Sequence, residues 1–209
     1  MFFIVSNAST IDFCYTTKMQ IEYEATFANI DKDAIRNKLK EAGAKLEKAE
    51  FMQRRSVYHL PEGNHIAGGW MRVRDEGDKI TMSVKTIDGK EIQNQKESCL
   101  TVDSYEEAET FLQTIGCKRK AYQETLRELW LLDEVEVTID TWPFLEPFIE
   151  VEGTSEEAVK AVSVKLGMDW SKAIFAAVDV LYSGKYGVPT EVINDQTPLI
   201  TFEMENPFI

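Results

Sequence analysis

The stretch that decides the fold is "QIEYEATF", Gln20–Phe27. Apolar residues alternate along it: Ile21, Tyr23, Ala25 and Phe27, with Glu22, Glu24 and Thr26 between them. A period of two marks a β-strand, because successive side chains point to opposite faces. Both carboxylates therefore share one face. Two like charges side by side on a strand are either a solvated surface or half of a cation site.

The same alternation recurs down the chain. In "WMRVRDE", Arg72 and Arg74 share a face with Trp70, opposite Met71 and Val73. In "ITMSVK", Thr81, Ser83 and Lys85 fall together, opposite Met82 and Val84. In "EVEVTID", Glu134, Glu136, Thr138 and Asp140 lie on one face, and in "FIEVE" Glu150 and Glu152 do so. Taken singly, each strand fits an open antiparallel sheet with one wet face and cross-strand Arg–Glu pairs. The helical segments between them shift that balance. Helices that cover the apolar faces from outside turn the polar faces inward, and an eight-stranded barrel has room inside for side chains and one small ligand.

Those helical segments carry their own punctuation. "NIDKDAIRNKLKEAGAKL" has Asp31 or Asp33 as a cap and Gly43 as a stop; "DSYEEAETFLQTIGC" runs from Asp103 or Ser104 to Gly116. "TSEEAVKAVSVKLGM" is a third capped helix, and "SKAIFAAVDVLYSGKYG" is expected to be a fourth, amphipathic one with Ala173, Phe175, Ala177, Val178, Val180 and Leu181 for packing. Strands are expected at 21–27, 45–60, 70–75, 79–86, 91–102 and within 117–153, with hairpin turns at "EGDK" and "DGKE". The fold class is therefore α+β: about eight strands, connected mainly by hairpins, in an antiparallel sheet or barrel with helices packed outside.

The chain has 209 residues and a formal net charge of −13, which disfavours a nucleic-acid or anionic-membrane surface. No stretch reads as a membrane span. Three cysteines without close spacing (Cys14, Cys99, Cys117) fit neither a disulfide framework nor a zinc site, and suit a reducing, cytoplasmic setting. Residues 1–18 are expected to be a disordered extension outside the fold, 19–185 one domain, and 186–209 a tail packed on it as a loop or edge strand. His59 and His65 flank a turn and read as surface residues.

The charges on the polar faces are segregated. Arg72, Arg74 and Lys85 suit phosphate, whereas Glu22, Glu24, Asp140, Glu150 and Glu152 repel one another unless a cation sits among them. Oxygen ligands of that kind suit Mg²⁺ or Mn²⁺.

The ordered set "EYEATF", "WMRVRDE", "ITMSVK", "RELW" and "VTIDTWPFLEPFIEVEG" resembles the CYTH superfamily over roughly residues 19–185. That superfamily includes class IV adenylyl cyclases, thiamine triphosphatases and inorganic triphosphatases. The resemblance implies the triphosphate tunnel, an eight-stranded antiparallel barrel with charged residues pointing inward. It implies metal ligation by Glu22, Glu24, Asp140, Glu150 and Glu152, and phosphate binding by Arg72, Arg74, Lys85 and Arg127. It also makes Glu97 an inward acid, and the alternation adds Glu134 and Glu136. The family opens on Glu-x-Glu-x-Lys, but Thr26 stands at the lysine position here. Thr125 likewise stands where a Lys-x-Arg strand has its lysine, and Lys120 is the nearby candidate to replace it. The metal half of the site is complete and the basic half is thinned.

The expected activity is divalent-metal-dependent hydrolysis of a triphosphate (inorganic, nucleoside or thiamine), with Glu22, Glu24, Arg72, Arg74, Lys85 and Arg127 as the catalytic set. The alternatives are conversion of ATP to cyclic AMP and pyrophosphate, and a non-catalytic barrel that binds a phosphorylated metabolite. A protein-interaction barrel is a further alternative, and it places Glu22 and Arg72 on the wet outside. The partner is a small triphosphate or nucleotide, and the protein a monomer or homodimer.

Overall fold

The computed structural model describes residues 19–64 and 66–209. The expected leader and His65 lie outside the described residues. The strands are β1 (Gln20–Ile21), β2 (Tyr23–Phe27), β3 (Lys45–Tyr58), β4 (Gly69–Asp75), β5 (Ile80–Ile87), β6 (Gln95–Val102), β7 (Arg119–Leu132), β8 (Val135–Thr141), β9 (Phe148–Gly153) and β10 (Leu199–Ile200). The α-helices are α1 (Lys32–Glu41), α2 (Tyr105–Thr114), α3 (Glu156–Lys165), α4 (Asp179–Tyr186) and α5 (Thr190–Asp195). None of them is long and apolar enough to cross a membrane.

The strands follow the order β1-β6-β5-β4-β3-β7-β8-β9-β2, and β10 adds to β7 in parallel. Only Glu22 separates β1 from β2, so the two ends of the sheet meet within residues 20–27. The sheet is thus a nearly closed antiparallel barrel. Its nine segments are the eight expected strands with the first one interrupted. At the seam, the Glu22 N–H donates to the Gln95 carbonyl at 3.0 Å. The Gln95 side chain then donates to the Glu24 carbonyl at 2.8 Å. Gln95 supplies a side-chain hydrogen bond where the backbone ladder has run out, which keeps the edge carbonyl satisfied.

The apolar faces point outward, under the helices. Ile149 and Val151 of β9, with Val137 and Ile139 of β8, are fully buried beneath Ile35 and Leu39 of α1 and Val159 and Val162 of α3. A second cluster sets Tyr105, Ala108 and Leu112 of α2 on Tyr58 and Val73. The caps are those the sequence implied: Asp31 accepts from the Ala34 N–H at 2.7 Å, Ser104 from Glu107 at 3.1 Å and Ser155 from Ala158 at 3.2 Å. Leu39 has no exposed surface. Leu39→Ala should therefore cost about 3 kcal/mol, read as a lower urea midpoint with unchanged far-ultraviolet dichroism in the native baseline.

Three expectations need correction. The helix expected over 171–187 starts only at Asp179. Ahead of it, Trp170–Lys172 is a 3₁₀ turn. Ile174 then forms a two-hydrogen-bond bridge with Thr26, both bonds at 3.0 Å. The edge of β2 left bare near the seam needed backbone partners, and that need overrode the helical spacing of Ala173, Phe175 and Ala177. In the tail, β10 is the edge strand expected, but Thr190–Asp195 is helical and packs Ile193 against Trp142, Phe148 and Tyr182. The strand expected over 91–102 begins only at Gln95, because Ile92–Asn94 is a 3₁₀ turn held by the reciprocal cap of Glu91 and Asn94.

Candidate functional site

The polar faces enclose a cavity of about 770 Å³ inside the barrel. Strand alternation delivers Glu22, Glu24, Arg72, Arg74, Lys85, Glu97, Arg127, Glu136, Glu150 and Glu152 to its wall, and Lys120 reaches it near the C-terminal segment. Glu22 and Arg72 face inward, which removes the geometry that an interaction barrel with a wet outer face requires.

Two of the expected acids are elsewhere. Glu134 is exposed in the β7–β8 turn, where it and Asp133 take positive φ angles of 64° and 52°. A two-residue turn of this handedness requires such angles, so the strand parity that grouped Glu134 with Glu136 stops at Val135. Asp140 is fully buried and is not part of the cavity wall. Its carboxylate accepts from Arg127 at 2.7 and 2.9 Å and from the Thr138 hydroxyl at 2.6 Å. Asp140 therefore buttresses Arg127, whose other contact is Glu150. Burial opposes the charge on Arg127, but Asp140 and Glu150 outweigh it and hold its pKa well above the usual value.

The register places acids beside acids. Glu24 lies opposite Glu152 across β2–β9, and Glu136 opposite Glu152 across β8–β9. Burial, reinforced by Glu24 and Glu136, pushes Glu152 up to about 7. Burial also raises Glu24. It pushes Glu22 up to about 9, against the lowering pull of Lys85. Glu97 goes the other way, to about 2: burial opposes its charge, and Arg72, 2.9 Å away, together with hydrogen bonds prevails.

Lys85 sits among these acids, with Nζ 2.6 Å from Glu22 and 3.6 Å from Glu24. At 2.6 Å the closer contact is a tight ion pair between the ammonium and the Glu22 carboxylate. Glu152 has no ion pair among the described residues. Among those residues no three His, Cys, Asp or Glu side chains are already gathered as a metal site. The donor chemistry nevertheless fits a hard divalent cation. Glu22, Glu24 and Glu152 are half-buried carboxylates whose ionisation burial opposes despite the nearby Lys85, and oxygen ligands are what Mg²⁺ or Mn²⁺ takes. Such an ion would compete with Lys85 for Glu22 and Glu24.

The sequence reading missed Arg55. It lies on the inward face of β3 with Gln53, opposite Arg74 on β4. Its guanidinium donates to Thr125 at 2.8 Å and Gln53 at 3.0 Å, and its Nε has no partner. Arg72, Arg74 and Arg127 each have a carboxylate, whereas Arg55 has none among the described residues. Burial first, then repulsion from those three arginines, pushes its pKa well below the usual arginine value. A buried cation without an ion-pair partner suits an anionic ligand by charge balance. It also touches Thr125, the position where a lysine was expected. The signal was available: in "MQRRSVY" the parity of Gln53 and Val57 puts Arg55 on their face.

Comparison with known proteins agrees with this architecture. The CYTH domain profile matches residues 20–169, well over half of the chain. No curated protein sequence matches the chain. The fold is similar to the PH1012 protein from Pyrococcus horikoshii OT3, with a TM-score of 0.64 and 20% identity over 77% of this chain and 98% of that one. A proposed adenylate cyclase from Vibrio parahaemolyticus gives a TM-score of 0.69 at 14% identity, covering 79% of this chain and 99% of that one. HpAC1 from Hippeastrum, described as having a dominant triphosphatase activity, gives 0.53 at 14% identity, covering 81% and 99%. At these identities the likeness to the solved structures is one of fold.

Proposed function

The chain belongs to the CYTH domain family, and on that premise we propose that it is a divalent-metal-dependent phosphohydrolase that cleaves a triphosphate held inside the barrel. One observation carries this reading. The same cavity holds under-compensated acids (Glu22, Glu24, Glu152) and an arginine cluster in which Arg55 lacks a counter-charge. A metal–polyphosphate ligand supplies what both groups lack. Bound Mg²⁺ or Mn²⁺ would neutralise phosphate charge and lower the pKa of a water. Glu22, Glu24 and Glu152 would hold it.

The remaining steps belong to the chain's own side chains. Arg72, Arg74 and Arg127 already have partners, so they stand preorganised for phosphate oxygens and for the charge that develops as the terminal phosphoryl leaves. Lys85, once Glu22 and Glu24 turn to a cation, is freed to join them. Asp140 stands outside the cation-binding set, since Arg127 and Thr138 take its oxygens. It fixes the Arg127 fork instead.

The test is phosphate release from ATP, GTP, thiamine triphosphate and tripolyphosphate, with Mg²⁺, with Mn²⁺ and with a chelator, followed by product identification. Orthophosphate release that the chelator abolishes is the expected result. Cyclic AMP with pyrophosphate would replace hydrolysis by cyclisation. Binding without turnover of any of the four would make the barrel a receptor.

Arg55 provides a second prediction. Arg55→Met removes an unpaired buried charge and leaves a side chain of similar length. The variant should be more stable by about 1 kcal/mol, since buried charge is replaced by apolar packing. It should also show a KM for the triphosphate raised roughly tenfold or more, through loss of a charge-assisted contact. Thermal melts and steady-state kinetics read the two effects separately.

A further inference from the structure

Four arginines line the cavity: Arg55, Arg72, Arg74 and Arg127. Glu97, Glu76 and Asp140 supply carboxylates to the last three. Beside Arg55 the acceptor is an amide. Gln53, two residues back on the same face of β3, accepts from Arg55 Nη2 at 3.0 Å. Thr125, the partner of Gln53 across the β3–β7 ladder, accepts from the same nitrogen at 2.8 Å and donates to Gln53 Oε1 at 3.3 Å. Neither Gln53 nor Thr125 exposes any surface, and neither belongs to the cavity wall. They meet a ligand only through Arg55.

We infer that Gln53 is a positioning residue that holds Arg55 in place while leaving its charge uncancelled, so that the guanidinium is kept for an anion. The inference rests on the reading of the barrel as a triphosphate site and adds how one of its arginines is kept available. In the ligand-free protein an amide is the poorer choice at position 53, on two counts. Its Nε2 is buried and has no acceptor among the described residues, which costs free energy. A carboxylate on a side chain of the same length has no such N–H, and would pair with Arg55 as Glu97 pairs with Arg72. What the amide permits and a carboxylate does not is a buried guanidinium that is hydrogen-bonded without being neutralised.

The unfavourable part of this arrangement falls on Arg55 itself. Burial, then Arg72, Arg74 and Arg127, opposes its charge, and its Nε has no partner among the described residues. An anion that reaches Arg55 from the cavity relieves both. Gln53 and Thr125 engage one guanidinium nitrogen, Nη2, so Nε and Nη1 remain to donate. The fork meets a phosphate in a fixed orientation, because one corner of it is tied to two fully buried side chains.

The test is Gln53→Glu in the full chain, alone and combined with Arg55→Met. Without metal or phosphate, Gln53→Glu should raise the melting temperature by about 2–4 °C, since it supplies the missing counter-charge. In the Arg55→Met background that rise should vanish. Calorimetric titration follows, with Mn²⁺ present, against the imido analogue of tripolyphosphate and a non-hydrolysable ATP analogue. Gln53→Glu should bind about tenfold or more weakly whichever of these the parent takes. A side chain that only fills the wall predicts the opposite melting shift, as a buried acid does. A lower melting temperature, a rise that survives Arg55→Met, or an unchanged affinity overturns the positioning role and leaves hydrolysis by the parent standing. The expected melting and binding shifts, in a parent that releases no phosphate, support the positioning role and remove the hydrolase. Failure of the parent to bind either analogue overturns both.

Discussion

Glu24→Gln lowers metal-dependent phosphate release by roughly a thousandfold, about 4 kcal/mol of transition-state stabilisation, and leaves the fold intact. Glutamine keeps the shape of the side chain and removes the negative charge. In the structure Glu24 faces Glu152 across the β2–β9 ladder and touches Lys85. Its charge is disfavoured there even beside Lys85, since burial raises its pKa. The substitution therefore relieves the protein and disables the site. Mn²⁺ titration should show weakened metal binding, and thermal melts in chelator should show no loss of stability. A drop in activity with metal affinity unchanged would move Glu24 from metal ligand to another role.

The second large effect has a sign that intuition gets wrong. Lys85→Gln should destabilise the metal-free protein by about 3 kcal/mol, because it removes the cation that sits 2.6 Å from Glu22 and 3.6 Å from Glu24. The same variant should bind Mn²⁺ more tightly than the parent. In the parent the ion must displace an ammonium that its carboxylates hold firmly: burial opposes the charge on Lys85, but Glu24 and Glu22 outweigh it and raise its pKa. In the variant nothing is displaced, and binding to the folded state restores stability by mass action. The melting temperature of the variant should rise more on adding Mn²⁺ than that of the parent. Turnover should still fall, since the freed lysine is a phosphate contact. Tighter metal binding combined with slower turnover separates this account from one in which Lys85 merely packs the barrel.

Much of this was legible in the sequence because a strand has a strict period of two. Parity grouped Glu22, Glu24, Arg72, Arg74, Lys85, Glu150 and Glu152 on polar faces opposite residues such as Ile149 and Val151, which are fully buried. The helical segments available to cover those apolar faces turned the polar ones inward. Helix caps were equally local, as Asp31, Ser104 and Ser155 show. What parity leaves undetermined is where a strand stops and what a side chain meets. Glu134 has the parity of a wall residue, but the turn claims it. Asp140 has that parity too, and its cross-strand neighbour Arg127 covers it. Residues 173–178 carry apolar spacing that a helix or a strand would accept. The bare edge of β2, a tertiary fact, decided between them. Arg55 was missed for a different reason: the segment was read as extended without assigning its faces.

The account's central claim is that one cavity holds a divalent cation on its acids and a triphosphate on its arginines. Anomalous diffraction at the manganese edge, from crystals grown with Mn²⁺ and a non-hydrolysable triphosphate, tests it most directly. The predicted result is a manganese peak inside the barrel bound by Glu22, Glu24 and Glu152, with phosphate oxygens on Arg55, Arg72, Arg74 and Arg127. Manganese absent from the barrel, or a phosphate chain bound outside it with Lys85 still paired to Glu22, would contradict the account.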